Sequence, residues 1–334
     1  MGRQRAAAGD LLPSAPHAAE RTRAVDLKRA DLLLAAIARG DALGVTSEDC
    51  AAAAARTRLR QHRDRGWPLL PVGSDELGAG RTTRVTAQAQ ALQRAFLLAG
   101  SRFDGALFAR ELQALGRTAV RALEPSLHKA LADLDAGVPW WRGGERAFAE
   151  AGSEPGSCDA VARAIPLAAL VRDDAGALRA ARLQAMVSDW HPDAVDAAAA
   201  MVWLLRRAFA GDAPWRRAWR AEAEAAIALP AAGAAAGGDC ESDALATWQR
   251  AAAVHAATGD APFATPWQAV ALAVAAARVA DGLPPEHAAV AALRAELPEC
   301  TGARAPGVVA GLGGRATANT ACAAALVTAA GHRG

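Results

Sequence analysis

The sequence predicts an all-α protein folded as one domain. Three observations carry that expectation. Alanine, the residue of highest intrinsic helix propensity, is used very heavily. Apolar residues recur at helical spacing in one segment after another, most clearly in HPDAVDAAAAMVWLLRRAFAG. Strand signals are nearly missing, with no sustained alternation and no Asn-Gly hairpin turn. At 334 residues, 52% hydrophobic and 22% charged, the chain has ample length to bury a core and the profile of a soluble globular protein.

Residues 1–24 read as a disordered tail, rich in Ala, Arg and Pro and without steady periodicity. Residues 25–332 form the expected domain. VDLKRADLLLAAIARG predicts a first helix that closes on Gly40 as a C-cap, followed by a turn over residues 40–48. A second helix is expected from Glu48 to His62, then the Pro/Gly-rich loop WPLLPVGSDELGAG. Thr83 or Thr86 is the N-cap candidate for a helix running to about Ala99.

Helices are expected over 104–122 and 125–136, and Pro139 with paired glycines makes GVPWWRGG a loop. AGSEPGSCDA is a second loop, after which AVARAIPLAALVRD returns to helix. The Gly/Ala-rich stretch 229–243 is expected to be a mobile linker, with three or four helices beyond it, the last being ANTACAAALVTAAG.

A net charge of +2 gives no basic face for nucleic acid. The five cysteines are odd in number and show no CxxC spacing, which argues against a disulfide framework or a zinc site. The N-terminus lacks the apolar region of a secretory signal, and no apolar run reaches about 18 residues, so no membrane span is expected. A reducing cytoplasm is the expected location.

Several motifs then fall in one order. LLLAAIARGDALGVTSE (32–48) resembles the N-terminal motif of the ADP-ribosylglycohydrolase family, related to dinitrogenase reductase-activating glycohydrolase, with Asp41, Gly44 and Glu48 at matching positions. The family's TDDT signature is matched by Thr83, Arg84, Val85 and Thr86, and its GNGxxMRxxPL by SCDAVARAIPL, which keeps Arg163 and Pro166. SDWHPDAVDAA resembles a THxxP-type helix start, with Asp189 at the family's His, or His191 if the frame shifts by two. GGRATANTACAAA resembles GGDxDTNAAIAGA, so that Arg315, Thr317 and Ala318 replace Asp, Asp and Thr. The resemblance implies an orthogonal multi-helix bundle and a pair of magnesium ions acting on an ADP-ribosyl bond.

The chemistry implied by the resemblance meets a changed residue set. Magnesium wants oxygen donors in near-octahedral array, and two adjacent ions need several carboxylates. Thr83 and at most Thr317 remain from the two motifs, and Arg84 and Arg315 repel cations. No metal cofactor is therefore expected, although the family would take magnesium.

The arginines have two readings. They replace the metal's charge and hold a phosphate or carboxylate, or they pair with Glu48, Asp41 or Asp159 or simply reach solvent. The ligand-binding candidates are Thr83, Arg84, Asp159, Arg163, Gly313, Gly314, Arg315 and Thr317, and the acid/base candidates are Glu48, Asp41 and Asp189. Trp140 and Trp141 either pack or border the cleft, and Cys158 has no identifiable base. The reading is a family member without its metal pair: a pseudoenzyme binding an ADP-ribose-like or other anionic small molecule, or a partner protein. Its alternatives are an active hydrolase, a repurposed enzyme using Glu48 or Asp41, and a scaffold.

Overall fold

A computed structural model describes residues 26–44, 82–118, 124–151, 157–228, 240–258, 265–280 and 316–332. Among them every regular element is helical. In chain order the helices are α1 (Leu27–Gly44), α2 (Arg84–Leu98), α3 (Gly105–Thr118), α4 (Pro125–Asp135), α5 (Arg142–Ala151), α6 (Cys158–Ala164) and α7 (Leu167–Leu170). There follow α8 (Asp174–Met186), α9 (Pro192–Phe209), a 3₁₀ turn (Pro214–Arg216), α10 (Trp219–Ile227), α11 (Cys240–Thr258), α12 (Thr265–Ala280) and α13 (Ala316–Gly331). The all-α expectation holds.

The alanine bias has a packing role as well as a helical one. Residues 317–329 of α13 are buried on every side, as befits a helix without a polar face. It lies between α1 and α12, and its small side chains let neighbouring backbones approach. The tightest approach is at Gly40, where an added Cβ would sit 2.3 Å from the Thr320 carbonyl oxygen. Thr320 Oγ1 donates to the Gly40 carbonyl at 2.7 Å, joining the two helices across 280 residues of sequence. Gly40 is thus a crossing point rather than a C-cap, and α1 continues to Gly44. The turn expected from residue 40 begins no earlier than 45.

Two other glycines are also misread as breaks. Gly143 and Gly144, expected in a loop, lie in the first turn of α5. A Cβ on Gly143 would meet the Ala130 carbonyl at 2.8 Å, and one on Gly144 would meet the Met186 carbonyl at 2.2 Å. The pair lets α5 press against α4 and the end of α8. Residues 240–243 of the expected linker are helical as well, being the first turn of α11.

The expected 104–122 helix is described over Gly105–Thr118, and AVARAIPLAALVRD divides into α6 and α7 at Ile165–Pro166. Helix α8, which the periodicity reading does not place, is capped by Asp173 accepting from the Gly176 amide at 2.7 Å. The expected Glu48–His62 helix lies outside the described residues.

Helix α9 runs through the centre, packed on α6, α8, α10, α12 and α13. His191 caps it, its Nδ1 accepting from the Asp193 amide at 3.1 Å, and Pro192 occupies the first helical position, where no amide donor is needed. Trp215 is fully buried, while Trp203 and Trp219 pack against the core.

Candidate functional site

The motif residues meet where several helices begin or end. Asp41 stands near the end of α1 and is fully buried. Its carboxylate takes four donors from the start of α2: the Thr83 amide at 2.8 Å and hydroxyl at 2.7 Å, and the Thr86 amide at 3.1 Å and hydroxyl at 2.6 Å. An acid beside a helix N-terminus satisfies amides that have no intrahelical partner. Burial pushes the Asp41 pKa up, and the four donors pull it back. Thr83 is the N-cap of α2, its Oγ1 accepting from the Val85 amide at 3.2 Å.

One residue on, Arg84 turns toward α6. Its Nε donates to Asp159 Oδ2 at 2.8 Å, and Nη2 lies 3.8 Å from Glu124 Oε1. Gln88, on the same face of α2, donates to Asp159 Oδ2 at 3.2 Å. Asp159 is buried, and its Oδ1 has no hydrogen-bond partner among the described residues. Ser157 caps α6 through the Asp159 amide at 3.0 Å.

Arg163 sits deeper, 1% exposed. Its guanidinium donates to Gln184 Oε1 (2.7 Å), Gln88 Oε1 (2.9 Å), Ser188 Oγ (2.7 Å) and the Gln184 carbonyl (2.9 Å). Burial lowers its pKa to about 10, and the nearby Asp159, Glu124 and Asp189 carboxyls oppose that shift.

Glu124 and Asp189 complete the cluster. Ser157 donates through its hydroxyl to Glu124 and through its amide to Asp189. Asp189 also accepts from the His191 amide at 2.9 Å, and burial raises its pKa. Glu124 is raised to about 8, first by burial and then by the Asp159 charge, against the pull of Arg84 and the Ser157 hydroxyl. Buried, mutually repelling carboxyls hold protons to higher pH.

The fold therefore gathers Arg84, Asp159 and Arg163 into one network through Gln88, brings Asp189 beside it through Ser157, and fastens Asp41 to Thr83. Thr317 lies in the first turn of α13, which packs on α6, and its Oγ1 is buried without a partner among the described residues. Glu48, Gly313, Gly314 and Arg315 lie outside the described residues. Trp140 and Trp141 are buried, Trp141 stacked on Trp190 at 5.9 Å. Cys158 and Cys322 are buried thiols, and burial raises the Cys322 pKa.

Sequence reasoning missed Glu124, Gln88 and Gln184. Glu124 directly precedes Pro125 at a helix start, and Gln88 lies four residues beyond Arg84, so both carried a local signal. Gln184 carried none.

A scan against protein families matches residues 22–332 to ADP-ribosylglycohydrolase. The chain belongs to the ADP-ribosylglycohydrolase family. The match spans every described helix and agrees with the order of motifs from Asp41 to Thr317. No curated protein matches the chain. No described helix of this ADP-ribosylglycohydrolase-family protein is long and apolar enough to cross a membrane. Among the described residues, no three His, Cys, Asp or Glu side chains are grouped to share a metal ion.

Proposed function

We propose that this ADP-ribosylglycohydrolase-family protein works without the magnesium pair its resemblance implies, as a pseudoenzyme that binds a nucleotide-like or anionic ligand or a partner protein. The observation that supports this reading is the position of Arg84. A guanidinium, 10% exposed, lies against Asp159 and near Glu124, at the motif position where the family carries an acid. A permanent cation there neutralises the carboxylates that a divalent ion would otherwise attract.

The donor set of the described residues does not fit two magnesium ions. Both Asp41 oxygens are engaged by the four donors of Thr83 and Thr86, so using them for a metal would uncap α2. Asp159 Oδ2 already accepts from Arg84 and Gln88. Octahedral coordination needs oxygens with free lone pairs, and these acids have few to offer.

Calorimetry with ADP-ribose tests the reading. Binding that is the same in magnesium and in EDTA is the expected outcome, with melting temperature also indifferent to the metal. Magnesium-dependent release of ADP-ribose from a modified arginine substrate would overturn it.

A metal-independent enzyme is the second reading, and Glu124 favours it. With a pKa near 8, its carboxyl is mostly protonated at neutral pH and able to act as a general acid. On that reading Glu124→Gln abolishes a measurable turnover while the protein stays folded, as Glu48→Gln would if Glu48 is the base. A scaffold tolerates both changes.

A further inference from the structure

The opposite end of α2 borders an open groove of about 870 Å³ that shares no residue with the Arg84–Asp159 network. Phe96, Phe103 and Trp140 line it on the apolar side, and Arg102, Arg172 and Arg179 on the polar side. The volume suits a small-molecule pocket, and a mostly apolar lining with a few charged groups is the usual composition of one.

We propose that this groove binds a flat aromatic anion, a ring system carrying a carboxylate or a phosphate. The ring would lie against Phe103. That side chain is half-buried and held edge-on to Trp140, with ring centres 6.3 Å apart and planes at 73°, and its ring centre lies 6.3 Å from that of Phe108. The indole is itself fixed, because α3 begins flush against it: a Cβ on Gly105 would stand 2.4 Å from Trp140 Cε2. A rigid aromatic wall binds a flat ring with little ordering cost.

The charge would be met by Arg102 and Arg172. Both are exposed and make no ion pair among the described residues. The acids of the groove are already engaged. Asp104 accepts from the Leu107 amide at 2.9 Å, Asp173 from the Gly176 amide at 2.7 Å, and Glu241 pairs with Arg179 at 3.6 Å. Helices α3 and α8 both start here, and their N-terminal amides hold the Asp104 and Asp173 carboxylates, which leaves Arg102 and Arg172 to face a ligand. The groove thus offers guanidiniums free of ion pairs among the described residues beside a fixed ring, and a planar oxyanion accepts from guanidinium in bidentate fashion.

The inference stands apart from the reading of the motif site, and its test contains no metal and no ADP-ribose. The full chain in EDTA is titrated with 8-anilino-1-naphthalenesulfonate, then challenged with 1-naphthyl phosphate, 1-naphthoate or inorganic phosphate. Saturable one-to-one binding is expected, displaced by the two naphthyl anions and not by inorganic phosphate at the same concentration. The stronger of the two competitors identifies the preferred acid group.

Arg102→Glu with Arg172→Glu should weaken binding about tenfold or more without shifting the melting temperature, since surface charge changes rarely alter stability much. Phe103→Leu, which keeps the apolar volume and loses the flat ring, should weaken it several-fold. Absence of saturable binding, binding indifferent to both arginine changes, or equal displacement by inorganic phosphate would each overturn the proposal.

Discussion

At its N-terminal end α2 sets Arg84 and Gln88 into a buried polar network; at its C-terminal end, roughly 20 Å along the axis, Phe96 lines an open groove rimmed by arginines. Both regions carry guanidiniums and carboxylates, yet they are wired differently. In the interior each charged group faces a specific counterpart, because an unpaired buried charge costs several kcal/mol. In the groove Arg102 and Arg172 are exposed, and they make no ion pair among the described residues. The contrast teaches where a charge change in sequence becomes structure and where it stays available for a ligand. Arg84, the most conspicuous substitution in the motifs, falls on the structural side.

That difference can be tested by stability first. Arg163→Met should have the largest effect, about 3–5 kcal/mol in chemical denaturation, because it strands Gln88, Gln184 and Ser188 in the interior. Gly40→Ala should follow, losing about 1–3 kcal/mol as the new methyl forces α1 and α13 apart. Asp41→Asn should cost about 1.5–3 kcal/mol, since an amide cannot accept all four donors at the start of α2. If Asp41→Asn instead proves neutral, the carboxylate is not what anchors α2.

A smaller effect should appear in the pH dependence of melting. The Glu124 pKa is about 8 in the folded protein against an ordinary value of 4.5. Between those values the folded state holds a proton that the unfolded chain has released, so stability falls as pH rises through the window. Glu124→Gln should flatten that slope. Arg84→Ala should steepen it by removing the guanidinium that draws the pKa down. Identical slopes in all three proteins would show that Glu124 does not titrate as described. The groove should give the smallest effect on stability, within about 0.5 kcal/mol for Arg102→Glu with Arg172→Glu.

The sequence disclosed the helical class because periodicity and propensity are local properties. Thr83 as N-cap, the helix from Pro192 and the Arg84–Asp159 pairing were all legible as alternatives. The glycines were not. Gly40, Gly143 and Gly144 look like helix breakers, and only the nearness of Thr320, Ala130 and Met186 explains why they sit inside helices. Glu124 was missed for a related reason: its raised pKa comes from burial and from Asp159, 35 residues on, which no motif encodes. Gln184 and Ser188 became visible only once Arg163 was seen buried between them.

The crossing of α1 over α13 bears on how the protein is made. Asp41 follows directly on the Gly40 seat, and that seat is completed by a residue translated 280 positions later. A ribosome will have emitted 280 further residues before α1 meets α13, although α2 reaches it far earlier. So distant a closure predicts slow maturation. Until that closure the face of α1 that α13 covers stays open.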